Sequence, residues 1–225
     1  MSKPIAWSYS ALNIFETCPY KYKQLKVTKA FKDEMNAVGI WGDKVHKALE
    51  RRVRDGAPLP EGMQQYEPIA ARICASKGKV IAEQKVCLNA DFKPVEFFAK
   101  DAWVRGVLDV SIQYDDTLVV LDYKLGKRKI DIDQLRLFAA LGFELFPEVS
   151  KIRTGYLWLK TNQTDMEPFT RDQKPDIWGG FLARVQRLER AMKENNWPKK
   201  PNGLCKKYCP VLDCEYNGRR YGSDT

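Results

Sequence analysis

The chain has 225 residues and 26.0 kDa, enough for one domain or one domain with an appendage. At 44% hydrophobic and 12% aromatic it can bury a core, which excludes a disordered protein. No window approaches the ~20 apolar residues of a membrane span. Met1 to Trp7 lacks the pattern of a secretory signal, so the expectation is a cytoplasmic protein without a membrane partner. Lys and Arg number 38 against 29 Asp and Glu, a net +9, and a surplus of this size points to a polyanionic partner such as nucleic acid.

In chain order, Ser8 or Ser10 can cap a first helix through Phe15. A basic run follows, with Lys21, Lys23, Lys26, Lys29 and Lys32 interleaved with Tyr20, Tyr22 and Phe31 and no acid before Asp33. Such a run supplies phosphate contacts and base stacking, with Tyr20, Lys21, Tyr22 and Lys23 as DNA-binding candidates, or it is a solvated basic helix. A second helix is predicted from about Val38 to Arg54, on the stripe Trp41, Val45, Ala48, Leu49 and Val53. A third covers about Gln64 to Ser76. Strands are predicted over Lys79–Leu88, Trp103–Tyr114 and Thr117–Lys124, then a helix from Asp131 to Phe146, a strand from Ile152 to Lys160 and a long helix from Asp176 to Asn195. From Arg184 to Arg220 there are ten Lys or Arg against four Asp or Glu, so most of the net charge lies in the last helix and the tail. The order implies a mixed α/β domain, an antiparallel meander ahead of a βαβ-type connection.

The six cysteines divide by context. Cys74 sits in a helical pattern and Cys87 in a strand pattern, both expected as small buried hydrophobes. Cys205, Cys209 and Cys214 crowd into the tail. Without a secretory signal such a cluster is expected to bind metal, with Cys18 as the natural fourth ligand; the other reading is a turn-rich tail with incidental thiols.

The predicted hairpin about Asp115-Asp116 is the most informative segment. If it is symmetric, paired positions sum to 231 and Asp109 faces Asp122. Val107, Asp109, Ser111 and Gln113 then share a face with Leu118, Val120, Asp122 and Lys124, while Leu108, Val110, Ile112, Tyr114, Val119, Leu121 and Tyr123 form a core face. Two carboxylates about 5 Å apart at Cβ repel, which a shared divalent cation explains well and a structural role poorly; the other reading is a solvated Asp–Lys ion pair near a strand end. A register slip of one residue would separate them.

Gly106-Val-Leu-Asp109, twelve residues and then Asp122-Tyr123-Lys124 resemble the core motif of the PD-(D/E)XK nucleases, and most closely the RecB-like branch with its Cas4-type and viral exonucleases. Ser8 to Tyr22 resembles the branch's N-terminal segment, Gly42 to His46 its histidine motif, and Gln134 to Phe138 its QxxxY motif with Phe for Tyr. The resemblance implies a restriction-endonuclease-like core, a central mixed β-sheet flanked by helices, with a cysteine-rich metal-binding tail. It implies segments 1–36 (N-terminal helix and basic segment with Cys18), 37–160 (nuclease core) and 161–225 (C-terminal helix and tail packing on the N-terminal segment).

The resemblance also assigns roles. Asp109, Asp122, His46 and the Tyr123 carbonyl hold Mg²⁺ or Mn²⁺; from the residues alone His46, at the edge of its helix's apolar stripe, is also a core histidine. Lys124 orients or deprotonates the attacking water and stabilises charge on the phosphate. Glu83, on the first core strand, holds Lys124 or a metal-bound water. Gln134 contacts DNA or the water; from the residues alone it is also the partner of Asp131 in a capping box. Phe138 lacks the usual hydroxyl. Cys18, Cys205, Cys209 and Cys214 match the layout of a [4Fe–4S] cluster, but gaps of three and then four residues in the trio leave Zn²⁺ open. The implied activity is hydrolysis of DNA, single-stranded or at ends, by a metal-activated water in replication, recombination or repair, alongside a recombination or replication partner protein and in the host cytoplasm if viral. The rival reading is a non-catalytic, metal-stapled nucleic-acid-binding module on a nuclease scaffold; RNA is a further substrate class.

Overall fold

The computed structural model describes residues 5–219; Arg220, the end of the basic stretch, lies outside them. In chain order the elements are β1 (Trp7–Ser8), α1 (Tyr9–Thr17), α2 (Pro19–Tyr22), α3 (Ala37–Asp55), α4 (Glu67–Cys74), β2 (Lys79–Asn89), β3 (Ala102–Gln113), β4 (Thr117–Lys124), α5 (Ile132–Leu145), β5 (Lys151–Trp158), β6 (Gln163–Thr170) and α6 (Lys174–Glu194). Two compact units result among the described residues: Ala37–Gly180 with Ile5 and Ala6, and Trp7–Asn36 with Phe181–Arg219. No helix among the described residues is long and apolar enough to cross a membrane.

In the first unit, β2, β3 and β4 form an antiparallel meander, α5 carries the chain across to β5, which pairs parallel to β4, and β6 returns antiparallel to β5. Both sheet faces are covered, as a sheet with a parallel crossover requires. On one face Val45, Ala48 and Leu49 of α3 and Ile69, Ala70 and Ile73 of α4 join Val110, Ile112, Tyr123 and Leu157 in one buried cluster. On the other, Leu118 and Val120 are buried as well, and α5 lies over them. A Cβ at Gly142 of α5 would come within 3.0 Å of Leu118 Cδ2, and one at Gly106 within 2.9 Å of Leu141 Cδ1. The glycine of the Gly106–Asp109 motif is therefore the gap through which α5 reaches β3.

The strand β6 was not predicted. Its sequence Gln-Thr-Asp-Met-Glu-Pro-Phe-Thr buries only Phe169, and Pro168 is tolerated because β6 is the sheet edge. Cys87 is buried as expected, but Cys74 is exposed, a correction. It is the last residue of α4, where the helix runs into the turn at Ser76, and the Arg52 guanidinium reaches its sulfur at 3.7 Å.

In the second unit Ser8 caps α1, its Oγ accepting the Ala11 N–H at 3.3 Å. Residues Lys23–Val27 continue α2 as a short π-helix. Arg184 of α6 donates twice to the Glu16 carboxylate, at 2.8 and 2.6 Å, and Lys200 donates to the Glu16 carbonyl at 2.8 Å. Phe15, Tyr22 and Trp197 form an aromatic cluster.

Candidate active site

The β3–β4 register sums to 231, as the symmetric hairpin requires, over Val110↔Leu121 to Gln113↔Leu118. This ladder ends one pair short of Asp109 and Asp122. There the Asp109 Oδ2 accepts the Tyr123 N–H at 2.7 Å, so a side chain replaces a ladder carbonyl. On its far side β4 stays paired with β5, Asp122 beside Tyr156 and Lys124 beside Trp158.

Each carboxylate has its own cationic or potentially cationic partner. Asp109 Oδ2 lies 3.3 Å from His46 Nδ1, and Asp122 Oδ2 lies 2.6 Å from Lys124 Nζ. His46 comes from α3 and stands edge-on to the Tyr123 ring, 5.6 Å between centroids. Burial disfavours the imidazolium, but the hydrogen bond and charge of Asp109, with the charge of Asp122, outweigh it and hold the His46 pKa above its ordinary value. Burial first, then repulsion from Asp109, pushes the Asp122 carboxyl up to about 6.

Gln134 does not form the capping box: Asp131 at the helix N-cap makes no side-chain cap hydrogen bond. Instead Gln134 Nε2 donates to Asp122 Oδ1 at 3.1 Å, and its Oε1 accepts from Lys124 Nζ at 3.4 Å and from the Tyr156 hydroxyl at 2.9 Å. The acceptor-only carboxylate and the donor-only ammonium fix the amide orientation between them. The single Tyr156 hydroxyl proton is shared between Gln134 Oε1 and the Asp131 carbonyl, also at 2.9 Å, and the Tyr156 ring lies 4.9 Å from Lys124 Nζ. Phe138 is buried at 5% exposure. A tyrosine hydroxyl does stand beside Gln134, but it comes from β5 and not from α5.

Glu83 is one of the few non-glycine residues with a left-handed backbone, φ 49°. The β2–β3 pairs run Ala82↔Val110 and Gln84↔Leu108, so Glu83 falls between them, across from Asp109. Burial, then the charges of Asp109 and Glu50, raise its pKa. Glu50 was missed in the sequence, although it stands four residues after His46 on the same helix face. Tyr156 was also missed, and only the parallel β4–β5 register brings it to Asp122.

The donor set fits a hard divalent ion: two carboxylates and an imidazole, with Asp122 Oδ2 buried and accepting no well-angled hydrogen bond despite the nearby ammonium. As the side chains stand, no group of three or more His, Cys, Asp and Glu among the described residues is arranged to hold a metal. In the second unit Cys18, Cys205, Cys209 and Cys214 line one cavity with Thr17 and Val211. Burial raises the Cys209 pKa, and Cys205 and Cys18 add to the rise. Asn217 closes the tail by donating to the Cys209 and Val211 carbonyls at 3.0 and 2.8 Å.

The expected DNA-binding residues separate. Tyr22 is 4% exposed, its ring stacked on Trp197 at 6.0 Å and edge-on to Phe15, so it has no open face for a base and is corrected to a core residue. Tyr20 carries Lys199 over its ring at 5.1 Å, Lys21 lies 3.5 Å from Asp33, and Lys23, partly exposed, opens the π-helix.

Among solved structures the chain is similar to that of SSO0001, with 13% identity, 96% of this chain and 89% of that one covered, and a TM-score of 0.45. It is also similar to a protein from Eubacterium rectale provisionally named an exonuclease, with 14% identity, 88% and 90% covered, and a TM-score of 0.48. Among curated proteins no match was found. The sequence model of the PD-(D/E)XK nuclease superfamily matches residues 6–214, a span that holds His46, Glu83, Asp109, Asp122, Lys124, Gln134 and all six cysteines, and the chain belongs to that nuclease superfamily.

Proposed function

We propose that this nuclease is a Mg²⁺- or Mn²⁺-dependent deoxyribonuclease of the RecB-like branch, acting as an exonuclease on single-stranded DNA or DNA ends in replication, recombination or repair. The observation that carries the reading is the linked set His46–Asp109 and Gln134–Asp122–Lys124, gathered where β3 and β4 stop pairing.

Asp109, Asp122, His46 and the Tyr123 carbonyl would hold the ion. When bound, it supplies Lewis acidity toward the phosphate and lowers the pKa of water. Lys124 Nζ, steered by Asp122, Gln134 and the Tyr156 ring, orients the water and stabilises the charge that grows on the phosphate oxygens. Gln134 keeps Asp122 and Lys124 in mutual register. Glu83 stands behind Asp109 and adds negative charge to the ion's surroundings.

Cys18, Cys205, Cys209 and Cys214 are proposed as a second, soft-metal centre, a [4Fe–4S] cluster with Zn²⁺ as the alternative. The thiol donor set and the shared cavity support it. Elemental analysis after anaerobic purification tests it: about four irons per chain supports the cluster, one zinc the alternative, and neither refutes the centre.

The activity is tested with labelled single-stranded DNA, blunt duplex and RNA incubated with Mg²⁺, Mn²⁺ or EDTA. Metal-dependent cleavage of single-stranded DNA or of ends, and none in EDTA, is expected. Binding without cleavage under every metal would replace the enzyme by a nucleic-acid-binding module.

A further inference from the structure

The β2–β3 connection, residues 90–101, is built to hold one aromatic ring in solvent. Its base is fixed. Asn89 Oδ1 accepts the N–H groups of Asp91 and Lys93, both at 3.0 Å, and the Val95 N–H returns to the Cys87 carbonyl at 3.1 Å. Phe92, left-handed at φ 59°, anchors the turn with its ring 4.7 Å from Trp178 and 5.5 Å from Trp103. Beyond this anchor Phe98 is 80% exposed. Phe97 stands edge-on behind it at 5.1 Å.

Two cations flank the pair. The Arg105 guanidinium lies 5.6 Å from the Phe97 ring and 5.9 Å from the Phe98 ring, and its Nε donates to the Phe97 carbonyl at 2.6 Å. Lys85 Nζ lies 6.0 Å from the Phe97 ring. Arg105 belongs to β3, four residues before Asp109. The two residues lie about 13 Å apart along the strand.

A scattered exposed Phe needs no explanation, but an anchored one between two cations does. An apolar protein partner would meet an ammonium and a guanidinium beside the ring. A single nucleic-acid strand meets complementary chemistry at both points, a base face for Phe98 and phosphates for Arg105 and Lys85. In an intact duplex the base faces are already stacked. We propose that Phe98, backed by Phe97 and flanked by Arg105 and Lys85, is a base-stacking platform that receives a single strand on its way to Asp109. The proposal rests on the nuclease reading and adds a strand-selecting site to it.

The test uses the full-length chain in EDTA, so that binding is read without cleavage, with a fluorescent oligothymidylate and a blunt duplex as probes. Phe98→Ala should weaken oligothymidylate binding about 5- to 20-fold and leave duplex binding unchanged. Phe98→Trp should bind as the wild type does and add a fluorescence that the oligonucleotide quenches, above the signal of the six native tryptophans. Arg105→Ala should lower the salt slope by about one. Wild-type affinity in Phe98→Ala, an unquenched Phe98→Trp, or a change confined to the state of assembly would overturn the platform. If the wild type still cleaves DNA with Mn²⁺ in that case, the nuclease reading survives. If the wild type neither binds nor cleaves, both fall.

Discussion

The carboxylate site of the first unit and the thiol cavity of the second are built on opposite terms. The carboxylate site draws on α3, β3, β4, α5 and β5, and sheet pairing and buried helices hold its residues. Its charges already have protein partners, His46 for Asp109 and Lys124 for Asp122. The thiol cavity joins Cys18, between two short helices, to three cysteines carried on turns whose order rests on local backbone bonds and Asn217. An ion at the first site would add chemistry to a scaffold that the sheet and helices already order. A metal at the second would add a cross-link between chain segments distant in sequence, and its binding energy would be folding energy.

The largest expected effect follows from the first half of this contrast. Asp109→Asn, Asp122→Asn and Lys124→Ala should each lower the cleavage rate at least ~100-fold while circular dichroism and oligonucleotide binding stay as in the wild type. Unfolding of these variants would instead make the charges part of the scaffold. The second half predicts the reverse pattern. Ser at Cys18, Cys205, Cys209 or Cys214 should remove the bound iron or zinc and lower the melting temperature by several degrees. Cys74→Ser should be silent because the thiol is exposed, and Cys87→Ser, buried in β2, should cost about 1 kcal/mol, an ordinary core effect. Equal melting temperatures across all six would erase the distinction.

His46→Ala should raise the Mn²⁺ concentration for half-maximal cleavage about tenfold, with activity recovered at high Mn²⁺. A lowered melting temperature with an unchanged metal requirement would retire His46 as a ligand. The metal-free protein should also report on Asp122. Its folded pKa, about 6, stands above the ordinary 3.8, so the folded state keeps a proton that the unfolded state has lost. Stability from this group is therefore full below about pH 4 and falls as pH rises to about 6. Asp122→Asn removes that loss, so in EDTA at pH 8 the inactive variant should melt above the wild type, and at pH 4 the gap should close. The raised pKa of His46 works in the same direction, through its own higher window. The smallest effect belongs to Tyr156→Phe. Loss of its bond to Gln134 should slow cleavage about threefold to tenfold without changing metal affinity; a changed metal affinity would make Tyr156 part of the ion's own support.

The sequence carried the hairpin well because side-chain alternation and a short turn are local signals. Asp109 and Asp122 share a register that the pattern of Val107–Gln113 and Leu118–Lys124 already contains. The inward face of Gln134 was legible from its spacing to Phe138, Leu141 and Leu145, while only the structure decides against its capping box. Tyr156 could not be found, because a parallel neighbour is chosen by a crossover helix and not by either strand's own pattern. β6 escaped because an edge strand needs few apolar residues. Tyr22 misled because it belongs at once to a basic run and, seven residues after Phe15, to a buried aromatic stripe; burial decided between the two.

The contrast is tested most directly by single-turnover cleavage of a labelled single-stranded oligonucleotide with saturating Mn²⁺, run side by side on the wild type, Asp122→Asn and Cys18→Ser at a temperature where all three are folded. Cleavage by the wild type and Cys18→Ser at rates within a few-fold of each other, with none by Asp122→Asn, is the predicted result. Cleavage by Asp122→Asn at the wild-type rate would contradict it.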